Sequence, residues 1–220
     1  MGVSGESLAG LIDHTLLSPG CTIADAKRVC SEAVEHGFAA VVVPPYFVPF
    51  AVTEMAATGI PVCSVVSFPH GWDPPAVKCD QTRRLLEMGA VEIDMVMNVS
   101  AFLSGRAGAI EDEVAAVRNV CGRDAVLKVI IETAYLGVEQ IAAAAAITAG
   151  AGADFVKTST GFASRGVTPE DIRIIKQAVG GRAGIKAAGG IRTRDQACSL
   201  IDAGATRLGC SSSVGLIKKR

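Results

Sequence analysis

No two of the seven cysteines stand at C-x-x-C spacing, which argues against a zinc site or a thioredoxin-like redox pair. Their odd number and apolar settings, such as Cys63 within Pro61-Val62-Cys63-Ser64-Val65-Val66, read as reduced, buried thiols. A surplus of charge is missing too: 21 Lys and Arg face 22 Asp and Glu, so nothing points to nucleic acid as a partner. The basic end, Lys218-Lys219-Arg220, reads as a solvated helix end that complements the helix dipole. Met1 to Glu6 carry no basic segment followed by an apolar core, and Glu6 stands where a myristoylation signal has Ser or Thr. The longest apolar stretch, Ile141 to Ile147, is far too short to cross a bilayer. A cytoplasmic protein with no membrane partner is expected.

What the chain does have is apolar residues, 50% of 220. That is enough for a full core, and one domain over residues 1–220 is expected. Apolar runs predict strands at Leu11–Leu17, Phe38–Val43, Val62–Val66, Val91–Asn98 and Val126–Glu132, then around Lys157, around Lys186 and at Thr206–Cys210. Between them, helical periodicity covers Ala26–His36, a segment through Met55, Pro75–Met88, Ile110–Val120, Val138–Thr148, a segment from Thr168-Pro169-Glu170, and Arg194–Ile201. Thr22 with Asp25 forms an N-terminal cap, and Gly37, Gly89 and Gly204 supply left-handed caps ahead of the next strand. Runs that are apolar on both faces suit a buried parallel sheet. Eight strands alternating with helices predict an α/β fold, the (β/α)8 TIM barrel. An open doubly wound sheet is the second reading, opposed by the lack of a G-x-G-x-x-G opening the first helix.

In a barrel, chemistry sits at the C-terminal ends of the strands. Two lysines fall there in matching settings, Lys157 in Phe155-Val156-Lys157-Thr158-Ser159-Thr160-Gly161 and Lys186 in Gly184-Ile185-Lys186-Ala187-Ala188-Gly189-Gly190. Either one alone reads more readily as a snorkelling or edge residue. Neighbouring parallel strands lie about 4.8 Å apart, so the two together would place both ammonium groups in one pocket. Burial and a second cation lower a lysine's pKa, and the free amine can then attack a carbonyl to form a Schiff base. Asp94 interrupts an apolar strand and is assigned to proton transfer between the lysines. Lys128 is divided evenly between a site role and a structural ion pair with Asp94. Small-residue turns follow the last three strands, and backbone N–H groups in such turns bind phosphate. The candidates are Thr158, Thr160 and Gly161, then Gly189 and Gly190, then Gly209, Ser211 and Ser212.

These residues carry a resemblance. Ile12-Asp13-His14-Thr15, Glu92-Ile93-Asp94-Met95-Val96, Lys128-Val129-Ile130-Ile131-Glu132-Thr133 and the two lysine segments, the second running on to Arg192, resemble the deoxyribose-phosphate aldolases over essentially the whole chain. The resemblance implies that Lys157 is the Schiff-base lysine, Lys186 its pKa-lowering neighbour and Asp94 the acid/base working with water. Asp13, Lys128 and Cys63 are secondary members of the site. It implies reversible cleavage of 2-deoxy-D-ribose 5-phosphate, a small phosphorylated sugar, to acetaldehyde and D-glyceraldehyde 3-phosphate, with no metal and no organic cofactor. The oligomeric state is left between homodimer and homotetramer. Members often end in a tail bearing a tyrosine, whereas no aromatic residue follows Phe162 here, so enamine protonation is expected to be slower or to use water alone. Cys210 and Ser213 stand where members vary, which bears on phosphate affinity. A pyridoxal-phosphate enzyme and a non-catalytic phosphosugar-binding module are the competing readings of the lysines and loops.

Overall fold

The computed structural model describes residues 8–218. The readings of Met1–Glu6 and of the basic end at Lys219 and Arg220 lie outside the described residues. Eight parallel strands close into a barrel in chain order: β1 (Ile12–Thr15), β2 (Ala40–Val42), β3 (Val62–Val66), β4 (Glu92–Val96), β5 (Val126–Ile130), β6 (Phe155–Lys157), β7 (Gly184–Ala188) and β8 (Arg207–Cys210), with β8 paired to β1. That closure removes the open doubly wound sheet from consideration.

The helices that return the chain are α1 (Ile23–His36), α2 (Val48–Met55), α3 (Pro75–Glu87), α4 (Val99–Leu103), α5 (Ala107–Cys121), α6 (Val138–Gly150), α7 (Pro169–Val179), α8 (Arg194–Ala203) and α9 (Ser213–Ile217). Thr22 caps α1 with Asp25 returning the bond, and Thr168 caps α7 with Asp171 in the same way. Gly37 closes α1 at φ 67°, in the left-handed region that a Cβ disfavours. β3 spans Val62–Val66 as expected, whereas β1, β2, β4, β5 and β8 are shorter than their apolar runs predict because those runs continue into the flanking turns. The short helices α4 and α9 carry no apolar periodicity long enough to predict them.

Strand alternation sorts the side chains. Ile12, Ile93, Leu127, Val129, Val156, Ile185 and Leu208 join the core shared with the helices, where Val29, Ala33, Ile110, Val114, Ile172 and Leu200 are buried. Truncating such a residue to Ala costs about 2–5 kcal/mol. The other strand face looks into the barrel. On β2 and β3 it is apolar, with Val42, Cys63 and Val65 packed against Leu17 and Phe68. Elsewhere the inner face carries charge, and all seven cysteines are free thiols.

Candidate active site

Register brings the charges together. Asp94 lies opposite Lys128, Lys157 opposite Lys186, and Lys186 opposite Arg207. Closure of β8 on β1 then sets Arg207 Nη1 2.7 Å from Asp13 Oδ1. Asp94 is the hub: Oδ1 accepts from Lys128 Nζ at 2.9 Å and from the Cys63 thiol at 3.2 Å. Its Oδ2 accepts from Lys157 Nζ and Lys186 Nζ, each at 2.7 Å. Lys186 Nζ is also 2.5 Å from Asp13 Oδ2, and Lys128 Nζ 2.5 Å from Glu92 Oε2. The Asp94–Lys128 ion pair therefore leaves Asp94 in contact with the other two lysines, because Oδ1 takes Lys128 and Oδ2 takes Lys157 and Lys186.

The cluster holds three carboxylates, Asp13, Glu92 and Asp94, against four cationic side chains, Lys128, Lys157, Lys186 and Arg207. A buried net charge is costly, and the cluster is neutral only if one of the four gives up its proton. Burial pushes every lysine down; what differs is the compensation. Asp94, Cys63, Asp13 and Glu92 lift Lys128 well above its ordinary value, and Asp13 and Asp94 lift Lys186 above its own. For Lys157, burial outweighs Asp94, the charge of Lys186 adds to the burial, and the amine ends below its ordinary value. Burial would raise Asp94, but Lys128, Lys157 and Lys186 together hold it well below the carboxylate range. Asp13 is raised by burial and brought down to about 2 by Lys186, Lys128 and Arg207. Burial keeps the Cys63 thiol protonated far above its usual range, so it serves as a neutral donor.

Lys157 opens onto a cavity of about 330 Å³ at the C-terminal mouth of the barrel. Thr160 and Gly161, Gly189 and Gly190, and Gly209, Ser211 and Ser212 lie on its wall, as does Arg192. A Cβ on Gly209 would stand 3.0 Å from Ala188 Cβ and 3.1 Å from Lys186 Cε, so a larger residue there crowds Lys186. Thr158 is a correction. It is fully buried and off the cavity wall; its hydroxyl donates to Ala188 O and accepts from Ala188 N, each at 3.0 Å, tying β6 to β7. No donor of Thr158 is left for an anion, since its N–H donates to Lys186 O. Glu132 lies past the end of β5, left-handed at φ 52°, and its Oε2 accepts from the Thr160 N–H at 3.1 Å and hydroxyl at 2.5 Å, fixing that turn. A second cavity of about 310 Å³ shares Thr160 and Phe162 with the first and is walled by Trp72, Leu103, Tyr135 and Glu132.

Glu92, Arg207 and Arg192 are site residues that the sequence reading missed. Glu92 stands two residues before Asp94 and Arg207 two before Gly209, so period-two alternation was the signal that both look inward. Arg192 stands two residues after Gly190, a cation on the same stretch of cavity wall as that turn.

A barrel with one lowered, cavity-facing lysine amine among fixed charges has the chemistry of an imine-forming lyase of the class I aldolase kind. The chain matches the DeoC/LacD family of aldolases over residues 8–217 and belongs to it. It is 48% identical over 215 residues to the deoxyribose-phosphate aldolase of Rhodospirillum rubrum, covering 98% of this chain and 90% of that protein. With the deoxyribose-phosphate aldolase of Deinococcus radiodurans it shares 47% identity, covering 96% of each. Among solved structures, the tetrameric deoxyribose phosphate aldolase from Aeropyrum pernix superposes with a TM-score of 0.90 at 34% identity, covering 97% of this chain and 91% of that one.

Proposed function

We propose that the protein reversibly cleaves 2-deoxy-D-ribose 5-phosphate to acetaldehyde and D-glyceraldehyde 3-phosphate through a Schiff base on Lys157. The observation that carries the reading is the asymmetry of the lysines: of those around Asp94, only Lys157 is lowered, and it faces the cavity. A free amine is the nucleophile this reaction needs.

The Lys157 amine adds to the aldehyde carbon of the open sugar. Asp94 and water move the protons that release water and leave an iminium. Loss of the carbon-3 hydroxyl proton then breaks the bond between carbons 2 and 3, and its electron pair flows into the iminium to give an enamine. Glyceraldehyde 3-phosphate departs, the enamine carbon takes a proton, and hydrolysis releases acetaldehyde and restores the amine. Leu17 lines the cavity and packs on the cluster of Val42, Cys63 and Val65, an apolar stretch of wall that suits the methylene carbon 2 of a 2-deoxy sugar. At the other side of the cavity, Gly189, Gly190, Gly209, Ser211, Ser212 and Arg192 supply a wall for the phosphate, whose binding orients the reacting carbons. Two or four copies in the cytoplasm complete the reading. Among the described residues no helix is long and apolar enough to cross a membrane.

The test is borohydride reduction in the presence of acetaldehyde followed by peptide mass spectrometry. An ethyl group on Lys157 is expected; its appearance on Lys186 or Lys128, or on no lysine, overturns the assignment.

A further inference from the structure

We propose that His14 and Ser213 are positioning residues for the Cys210–Ser212 turn, and that the proton on His14 sets how firmly the turn is held against the sugar phosphate. The inference rests on the aldolase reading above and assigns a task to a buried polar chain which that mechanism leaves unused.

Asp13 faces into the barrel, so His14, next on β1, faces out, 1% exposed. Its Nδ1 lies 2.9 Å from Ser213 Oγ, and Ser213 Oγ lies 3.0 Å from the carbonyl oxygen of Cys210. Nε2 lies 2.7 Å from Glu32 Oε2. Cys210, Ser211 and Ser212 line the catalytic cavity, so this chain runs from α1 to the back of the anion wall.

Counting protons separates two states. The Cys210 carbonyl only accepts, an ionised Glu32 only accepts, and Ser213 has one proton to give. With both ring nitrogens protonated, Nε2–H donates to Glu32, Nδ1–H donates to Ser213, and the hydroxyl donates to Cys210. All three contacts are then satisfied. With one proton, held on Nε2 by Glu32, Nδ1 becomes an acceptor. The Ser213 hydroxyl must turn to it, and the Cys210 carbonyl loses that bond. Burial pushes His14 below its ordinary value, and Glu32 opposes the shift. The charged groups facing the ring are Glu32 and Arg28 from α1, with Arg28 Nη1 3.1 Å from Glu32 Oε2, and His36 beyond the Phe38 ring that packs on His14 at 4.8 Å. From the β8 side it meets Ser213 and Cys210, whose thiol burial raises to about 12. Deprotonation of His14 therefore loosens the turn.

The experiment measures KM and kcat for 2-deoxyribose 5-phosphate and for free 2-deoxyribose between about pH 5 and pH 8, where histidine titrates. It compares the native enzyme with Ser213→Ala and His14→Asn. The substrate's phosphate titrates in the same range, but identically for every variant, so ratios of variant to native isolate His14. Ser213→Ala is expected to raise KM for the phosphorylated sugar by about 2- to 10-fold at the acid end, the worth of one hydrogen bond, with kcat little changed. That ratio should fall toward one as pH rises. His14→Asn places an amide N–H where Nδ1–H stands but cannot titrate, so its KM should fall relative to native as pH rises. A Ser213→Ala ratio that does not vary with pH, or equal losses on both sugars, overturns the inference. A native enzyme whose KM does not distinguish the two sugars overturns the phosphate reading, and this inference with it.

Discussion

Lys157 and Lys78 are both buried, both paired to a carboxylate and both pushed by burial below the ordinary lysine value. Lys78 lies outside the barrel between α3, β4 and α5. Its Nζ is 2.8 Å from Glu113 Oε2 and donates to Val96 O at 2.8 Å, while Glu113 Oε1 accepts from Asn98 N–H at 3.0 Å. One cation is paired with one anion there, and neither side chain lines the cavity onto which Lys157 opens. Lys157 shares the single oxygen Asp94 Oδ2 with Lys186 and opens onto a chamber. A lowered amine is thus a consequence of burial in both places. Surplus positive charge and an open approach are what make it a reagent in one of them.

The largest effect expected from breaking this contrast is at Lys157 itself. Lys157→Ala removes the amine, and Lys157→Arg replaces it with a guanidinium that stays protonated and forms no imine. Steady-state assays should find neither variant able to cleave the sugar. Appreciable turnover by either would put the nucleophile elsewhere.

Next is Lys186→Leu, which takes one cation from the cluster. Three carboxylates would then face Lys128, Arg207 and Lys157, and neutrality is reached with Lys157 protonated. Its pKa should rise, so the acid limb of kcat/KM, where activity is lost as the amine gains a proton, should move to higher pH. Each unit costs tenfold in free amine, so a shift of about 2 units lowers activity at neutral pH about 100-fold, with partial recovery in alkali. An unmoved limb would mean that Lys186 touches substrate or transfers protons directly.

The contrast also marks what could be read from the chain. The alternation of apolar runs and helices carried the barrel, and the matched settings of Lys157 and Lys186 carried the core of the site, because both are local patterns. Closure of β8 on β1 is not local. It alone joins Asp13 to Arg207, 194 residues apart, and without it the charge count cannot be made. Thr158 misled because Thr158-Ser159-Thr160-Gly161 looks uniformly suited to an anion. Alternation turns only part of it to the cavity, and Thr158 is spent on Ala188. Lys78 carries no local signal of its own: it sits in a helix with charged neighbours, and its pairing depends on α5 bringing Glu113 over it.

A smaller change tests the far wall of the chamber. Ser212→Glu sets a carboxylate where the phosphate is proposed to lie, and like charges brought together repel. KM for the phosphorylated sugar should rise about tenfold or more, with free 2-deoxyribose affected far less. Equal losses would mean that this turn does not read phosphate.

The smallest effect on catalysis is expected where burial is greatest. Lys78→Met leaves Glu113 unpaired in the core, which costs about 3–5 kcal/mol of stability, and Glu113→Leu strands Lys78 in the same way. The double variant, Lys78→Met with Glu113→Leu, replaces the pair with apolar groups of similar bulk, and such replacements are commonly neutral or stabilising. Denaturant unfolding should therefore show two weakened single variants and a double variant near the native value, apart from what Val96 O and Asn98 N–H lose as hydrogen-bond partners. For the fraction that is folded, kcat and its pH profile should match the native enzyme in all three. The reason is geometric: Lys78 holds the backbone at Val96, two residues beyond Asp94, and Asp94 is separately fixed by Lys128, Lys157 and Lys186. If the double variant were stable yet its acid limb moved, the outer pair would be reaching the amine through β4, and the separation drawn between the two buried lysines would fail.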